Sequence, residues 1–225
     1  MAAQPERLIL AVDEVGAPLE GAVALAERVE APLQVVLVEA AGWRYLEAYP
    51  ALSAAGPAAP APVAQALRVA RRRLEARVAA IAGDRVRWSV APAGRLDPSQ
   101  LGRRDILLLS HPRLLAQVTE AACSIHLPGP GRGAAAPVVA FCLEDGEESV
   151  VAARAIASAS RRRFALVHQG SAGVPAWGAA EEGPLWTQRL GARELDVRDW
   201  LAAVAPAGVV LPPGAARRLF LALAR

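Results

Sequence analysis

Short, uninterrupted apolar runs separated by helix-patterned segments constrain this chain more than any other feature. LILAV (8–12) is apolar at every position, and LQVVLV (33–38) at every position but one. A strand with one wet face alternates apolar and polar residues. A strand covered by helices on both faces has no need to. Between the two runs, Leu19, Val23, Ala26 and Val29 recur at helical spacing within 18–30, while Glu20, Glu27 and Arg28 take other positions. This is a βαβ unit, whose crossover is right-handed in nearly all known cases. The expected fold class is α/β, an open parallel sheet flanked by helices.

The pattern continues along the chain. Residues 40–62 begin AGWRYLEAYP and run into ALSAAGPAAPAP, a Pro/Ala-rich loop. Leu67, Ala70, Leu74, Val78 and Ile81 make one stripe of a helix over 63–82. Strands are expected at 85–90 and 105–109. RLLAQVTEAACSI (113–125) reads as a helix with Leu114, Leu115, Val118, Ala122 and Ile125 inward. GPGRG (129–133) follows it and reads as a flexible connector.

The chain then begins again. PVVAFCLEDGEESVVAARAIASASRRRFALVHQG repeats the strand, acidic turn, helix and strand of residues 7–40, about 130 residues later. The repeat is degenerate: Leu143 stands where Asp13 would align, with Glu144 and Asp145 just after it. SAGVPAWGAAEEGPLW reads as a loop. GARELDV, VRDWLAAVA and AGVVLPPG read as strand, short helix and strand, and AARRLFLALAR as a closing helix. The division is residues 1–133 and 134–225, the second a truncated α/β repeat.

Charge and cysteine use narrow the function classes. All 25 basic residues other than histidine are arginine, yet the net charge is only +3 over 225 residues. Arg71–Arg73 and Arg161–Arg163 have no aromatic or recognition motif beside them. They read as solvated helix faces and not as a nucleic-acid surface. Cys123 and Cys142 lack metal spacing and sit in apolar contexts, as reduced core thiols of a cytoplasmic protein do. Pro5, Glu6 and Arg7 interrupt any leader, and no apolar run reaches the roughly 20 residues of a membrane span.

Asp13 places a carboxylate at the end of a buried strand. Open α/β sheets bind ligands at that edge, and an Asp there also caps a following turn or helix. RLILAVD with its helix, RRDILLLSH, and AQVTEAACSIHLPGPGRGAAAPVVAF resemble the first strand, the fourth strand, and the last helix and strand of the universal stress protein family. The resemblance covers 7–143, and 137–214 more loosely, as a tandem member with an eroded second half. It implies a fold of the same open α/β type. It also implies an adenine-nucleotide site such as ATP uses, at Asp13, Val38, Ser110 and Arg113. Family members commonly dimerise through the last strand, so the two halves of this chain are expected to pair with each other.

The sequence departs from the family at the phosphate loop. ATP-binding members carry G-x2-G-x9-G-[S/T] after the fourth strand, where glycine lets backbone N–H groups close on phosphate. Here SHPRLLAQVTE follows Leu109, and no glycine occurs from Ser110 to Pro128. Pro112 offers no N–H. No Walker loop, G-x-S-x-G or metal spacing is present, so no catalytic residue and no metal ligand is nominated. Trp43, Tyr45 and Tyr49 crowd into seven residues of an aromatic-poor chain, as an interface or lid would, or a loop folded onto the core. The functional expectation is a non-enzymatic regulatory or scaffold protein working through a protein partner or a homodimer, without ATP. The alternative is a nucleotide sensor with a rebuilt phosphate site.

Overall fold

The computed structural model of the chain describes residues 5–12, 19–38, 61–82, 88–91, 96, 100–111, 114–115, 118, 121–129, 131, 133, 135–143, 147–169, 183–190 and 200–214. The first half contains β1 (Leu8–Val12), α1 (Leu19–Val29), β2 (Leu33–Leu37), α2 (Ala61–Ala82), β3 (Trp88–Ala91), β4 (Ile106–Leu109) and β5 (Ser124–Pro128). The second contains β6 (Val138–Leu143), α3 (Glu147–Ala159), β7 (Phe164–Gln169), β8 (Thr187–Leu190) and β9 (Gly208–Leu211). A helical turn over 200–204 precedes β9. Among the described residues no helix is long and apolar enough to cross a membrane.

The nine described strands join one sheet in the order β3-β2-β1-β4-β5-β9-β6-β7-β8. Every pair is parallel except β5 with β9, where Ile125 faces Leu211 and Leu127 faces Val209. The order β3-β2-β1-β4 on one side of β5 is mirrored by β8-β7-β6-β9 on the other. β5 runs parallel to β4 and antiparallel to β9, so one strand serves as the fifth strand of both sets.

Repetition extends to the helix ends. β6 starts 130 residues after β1 (138 against 8), and β7 starts 131 after β2 (164 against 33). At the end of α1, Ala31 N–H bonds Ala26 C=O across a left-handed Glu30 (φ 56°). At the end of α3, Arg162 N–H bonds Ala157 C=O across a left-handed Arg161 (φ 55°). Both are Schellman caps built on a residue other than glycine, again 131 apart.

Strand alternation splits the core in two. Leu8, Leu10, Val12, Ile106, Leu108, Val138, Ala140 and Val210 pack under α1, α2 and α3. Ile9, Leu107, Ile125, Leu127, Val139, Val209 and Leu211 face the other way. They meet Leu96, Leu101, Leu114, Leu115 and Val118 from connecting segments, and Trp200. Trp200 stands edge-on to Phe141 and to Trp186, with ring centres 5.9 and 5.6 Å away, and its Nε1–H donates to Gln188 Oε1 at 2.6 Å. Leu74 and Val78 of the α2 stripe are fully buried.

Three expectations need correction. The described residues of 113–125 do not make the expected helix: Ser124 and Ile125 open β5, and none of the others is α-helical. Leu114 N–H bonds His111 C=O, Val118 N–H bonds Leu115, and Ala121 N–H bonds Val118, a chain of tight i→i−3 turns. Fourteen residues (110–123) must span from the end of β4 to the start of β5, near the minimum for a parallel crossover. Their leucines are buried as expected, but Ala122 is exposed and Ile125 lies inside a strand. The stretch likened to a last helix and last strand therefore carries two strands, β5 and β6. Second, a strand that the sequence reading did not expect falls at Thr187–Leu190, while the strand expected at GARELDV and the closing helix lie outside the described residues.

Third, GPGRG is a packed seam. Gly129 N–H bonds Ala207 C=O at 3.0 Å and Gly131 N–H bonds Pro206 C=O at 2.9 Å, prolonging the β5–β9 pairing. A Cβ on Gly131 would sit 2.0 Å from Ala205 O and 2.8 Å from Ala136 Cβ, and one on Gly129 2.1 Å from Pro206 O. Backbone blocks both, so only glycine permits this approach. Gly131→Ala is expected to lower stability by about 1–3 kcal/mol through overpacking. Urea unfolding tests this, and an unchanged midpoint would show the seam to be loose.

Candidate functional site

The carboxyl edge of β1 is where the sequence places its ligand site. Val38 N–H donates to Val12 C=O at 2.7 Å, and Ser110 N–H donates to Ala11 C=O at 3.0 Å. The ends of β2 and β4 are thus clasped to β1 from either side, immediately before Asp13. Val38 is buried and Ser110 is half-buried. These two nominated residues come together at the edge. Asp13 and Arg113 lie outside the described residues, as do Trp43, Tyr45 and Tyr49.

A phosphate site at this edge needs a row of free N–H groups, which a helix N-terminus provides. Among the described residues after Ser110, i→i−3 hydrogen bonds take up the N–H groups of Leu114, Val118 and Ala121. Among the described residues no group of three or more His, Cys, Asp or Glu is placed to hold a metal ion. Burial, with the Asp105 carboxylate nearby, pushes the Cys123 thiol up to about 12, so it stays protonated and unreactive at neutral pH. Cys142 is buried as well.

A second concavity was not legible as a site. On the helix-covered face a cavity of about 260 Å³ lies between α1 and α3, over β1, β4, β5 and the first residue of β6. Leu10, Leu25, Leu108, Val138 and Ile156 supply apolar wall, and His126, Ser110, Ser160 and Arg162 the polar groups. β5 alternates so that Ile125 and Leu127 enter the opposite core while Ser124 and His126 face the helices. The imidazole leans over Gly208, where a Cβ would come within 2.2 Å of Nε2. Desolvation pushes His126 down to about 4, so it is neutral at physiological pH. The signal for this site was the polar pair Ser124 and His126 inside an otherwise apolar strand.

No protein-family model matches the chain, and no curated protein matches it at a significant level. Solved structures resemble it at low identity. A protein of unknown function from Pseudomonas aeruginosa PAO1 matches at 12% identity and a TM-score of 0.48, over 99% of both chains. A protein described provisionally as a universal stress protein, from Pseudomonas aeruginosa UCBPP-PA14, matches at 13% and 0.47, again over 99% of both. The cytoplasmic domain of a prokaryotic cation chloride cotransporter matches at 9% and 0.43, over 97% of this chain and 99% of that one.

Proposed function

We propose that this chain is a non-enzymatic, universal-stress-like regulatory or scaffold protein of the cytoplasm. In this reading it acts through contacts with a protein partner or a second copy and does not bind ATP. The observation that carries the reading is the β4–β5 connection. It contains no glycine, and its N–H groups at Leu114, Val118 and Ala121 are spent on local turns. A triphosphate at the β1 edge would find no glycine cradle behind Ser110. The mirrored strand order around β5 supports a tandem chain, with residues 1–133 and 134–225 sharing one sheet. Trp43, Tyr45 and Tyr49 are the nominated partner contacts.

A second reading, an adenine-nucleotide sensor, is favoured by the clasped edge. Val38 and Ser110 come together at the end of β1, which Asp13 follows in sequence, and an arginine such as Arg113 binds phosphate without glycine. Isothermal titration of the full chain with ATP separates the two. The expected result is no heat of binding and no adenine nucleotide released on denaturation. Micromolar binding that Asp13→Ala abolishes would overturn the scaffold reading in favour of the sensor.

A further inference from the structure

The cavity between α1 and α3 lies on the helix-covered face of the sheet, and elements of both halves build it. It shares Ser110 with the β1 edge but extends from there under the helices, to His126 and Arg162. Arg28 of α1 donates to the carbonyl of Ala159 at the end of α3, which fixes the two helices side by side over it. Its volume of about 260 Å³ is just under the roughly 300 Å³ at which pockets for drug-sized ligands begin. That is the space of about nine waters, or a compact organic molecule of about a dozen non-hydrogen atoms.

Two polar groups in the lining are left with capacity. His126 makes no hydrogen bond among the described residues, although a neutral imidazole has one donor and one acceptor to give. Arg162 donates Nη1–H to the carbonyls of Gly133 (2.5 Å) and Ala136 (3.0 Å), and has no carboxylate partner among the described residues. Neutral carbonyls orient the guanidinium without cancelling its charge. Ser160, by contrast, gives its hydroxyl to the Ile156 and Ala157 carbonyls. An apolar wall with one uncompensated cation and one neutral imidazole selects against three ligand types. An amine meets the arginine charge. A polyphosphate finds too few donors. A pure hydrocarbon leaves the guanidinium and imidazole unpaired.

We propose that this cavity is a binding site for a compact organic carboxylate with an aromatic or branched apolar body. The carboxylate pairs with Arg162, and the apolar body lies among Leu10, Leu25, Leu108 and Ile156 within reach of His126. Such a site gives a two-halved scaffold a small-molecule input at the place where its halves meet.

The probe is para-isopropylbenzoate, with para-isopropylbenzyl alcohol as its uncharged counterpart, titrated calorimetrically into the full chain. The acid is expected to bind about tenfold or more tightly than the alcohol, the usual gain of a charge-assisted hydrogen bond. Arg162→Gln is expected to erase that preference and leave the alcohol's affinity unchanged. Gly21→Phe is the second variant. Gly21 lines the cavity from an exposed position on α1, and a Cβ there meets nothing within 4 Å, so the ring is tolerated and blocks both ligands. It decides the matter if Arg162→Gln fails to fold. Absence of binding by the folded wild-type chain, equal affinity for acid and alcohol, or undiminished acid binding in Gly21→Phe would each overturn the site.

Discussion

Arg7→Ala is expected to destabilise the fold by about 1–3 kcal/mol, the cost of leaving a buried polar group short of its partner. Arg7 stands just before β1, and its Nη2 lies 2.6 Å from Asp105 Oδ2, just before β4. The same guanidinium donates to Gln34 Oε1 on β2 and to the Gln100 carbonyl, each at 2.9 Å. Asp105 is only 4% exposed and also accepts from Gly102 N–H at 2.9 Å. The pair therefore ties β1, β2 and β4 together at the amino edge of the sheet, opposite the candidate ligand edge. Without the arginine, a carboxylate remains buried with one neutral donor. The double variant Arg7→Met with Asp105→Leu removes both charges and is expected to recover most of the loss. Urea unfolding of the three variants tests this. A loss below about 1 kcal/mol for Arg7→Ala would place the pair among surface ion pairs of little worth.

That network explains part of what the sequence did and did not disclose. β1, α1 and β2 were legible because the apolar pattern matches the burial of Leu8–Val12, of Leu19, Val23, Ala26 and Val29, and of Leu33 and Val35–Leu37. The α2 stripe was legible for the same reason, with Leu74 and Val78 sealed and Arg72 and Arg73 exposed. The segment 113–125 misled because its apolar spacing suits both a helix and a run of tight turns that bury leucine. Its end, Ser124 and Ile125, belongs to β5, which periodicity alone does not report. The central place of β5 was hidden for a related reason. SIHLP is short, carries two polar residues, and owes its stability to two neighbours on opposite sides, β4 and β9, that lie far from each other in sequence.

Of the nominated nucleotide site, Val38 and Ser110 are at the carboxyl edge of β1 as expected, because a parallel register that pairs Leu10 with Val35 and Leu108 brings those ends level. GPGRG looked like a flexible connector on composition alone. Gly129 and Gly131 are required because the backbone of residues 205–207 leaves no room for a Cβ, a tertiary fact that no local pattern carries. The cavity lining was equally hidden: Arg162 sits in an arginine cluster that resembles a solvated helix end, and only the tertiary fold brings it to the cavity that His126 also lines.

His126 supplies the pH dependence. Its pKa is about 4 in the folded chain, lowered from 6.5 by desolvation alone. Between those values the unfolded chain binds a proton that the folded chain refuses, so stability rises with pH across that window and falls on acidification. Above 6.5 both states are neutral at this ring, and below 4 both are charged, so the change is confined to the interval. At 1.36 kcal/mol per unit the full drop is about 3 kcal/mol, most of it complete by pH 4.5. Arg162 shares the cavity, and a charged imidazole there adds like charge to like. His126→Leu removes the titration and keeps an apolar group under the helices. Urea midpoints of both proteins at pH 7.5 and 4.5 isolate the contribution, since the carboxylates common to both cancel. The wild-type chain is expected to lose about 2–3 kcal/mol more than the variant over that change. Equal losses would mean that the ring takes up its proton in the folded chain as freely as in water.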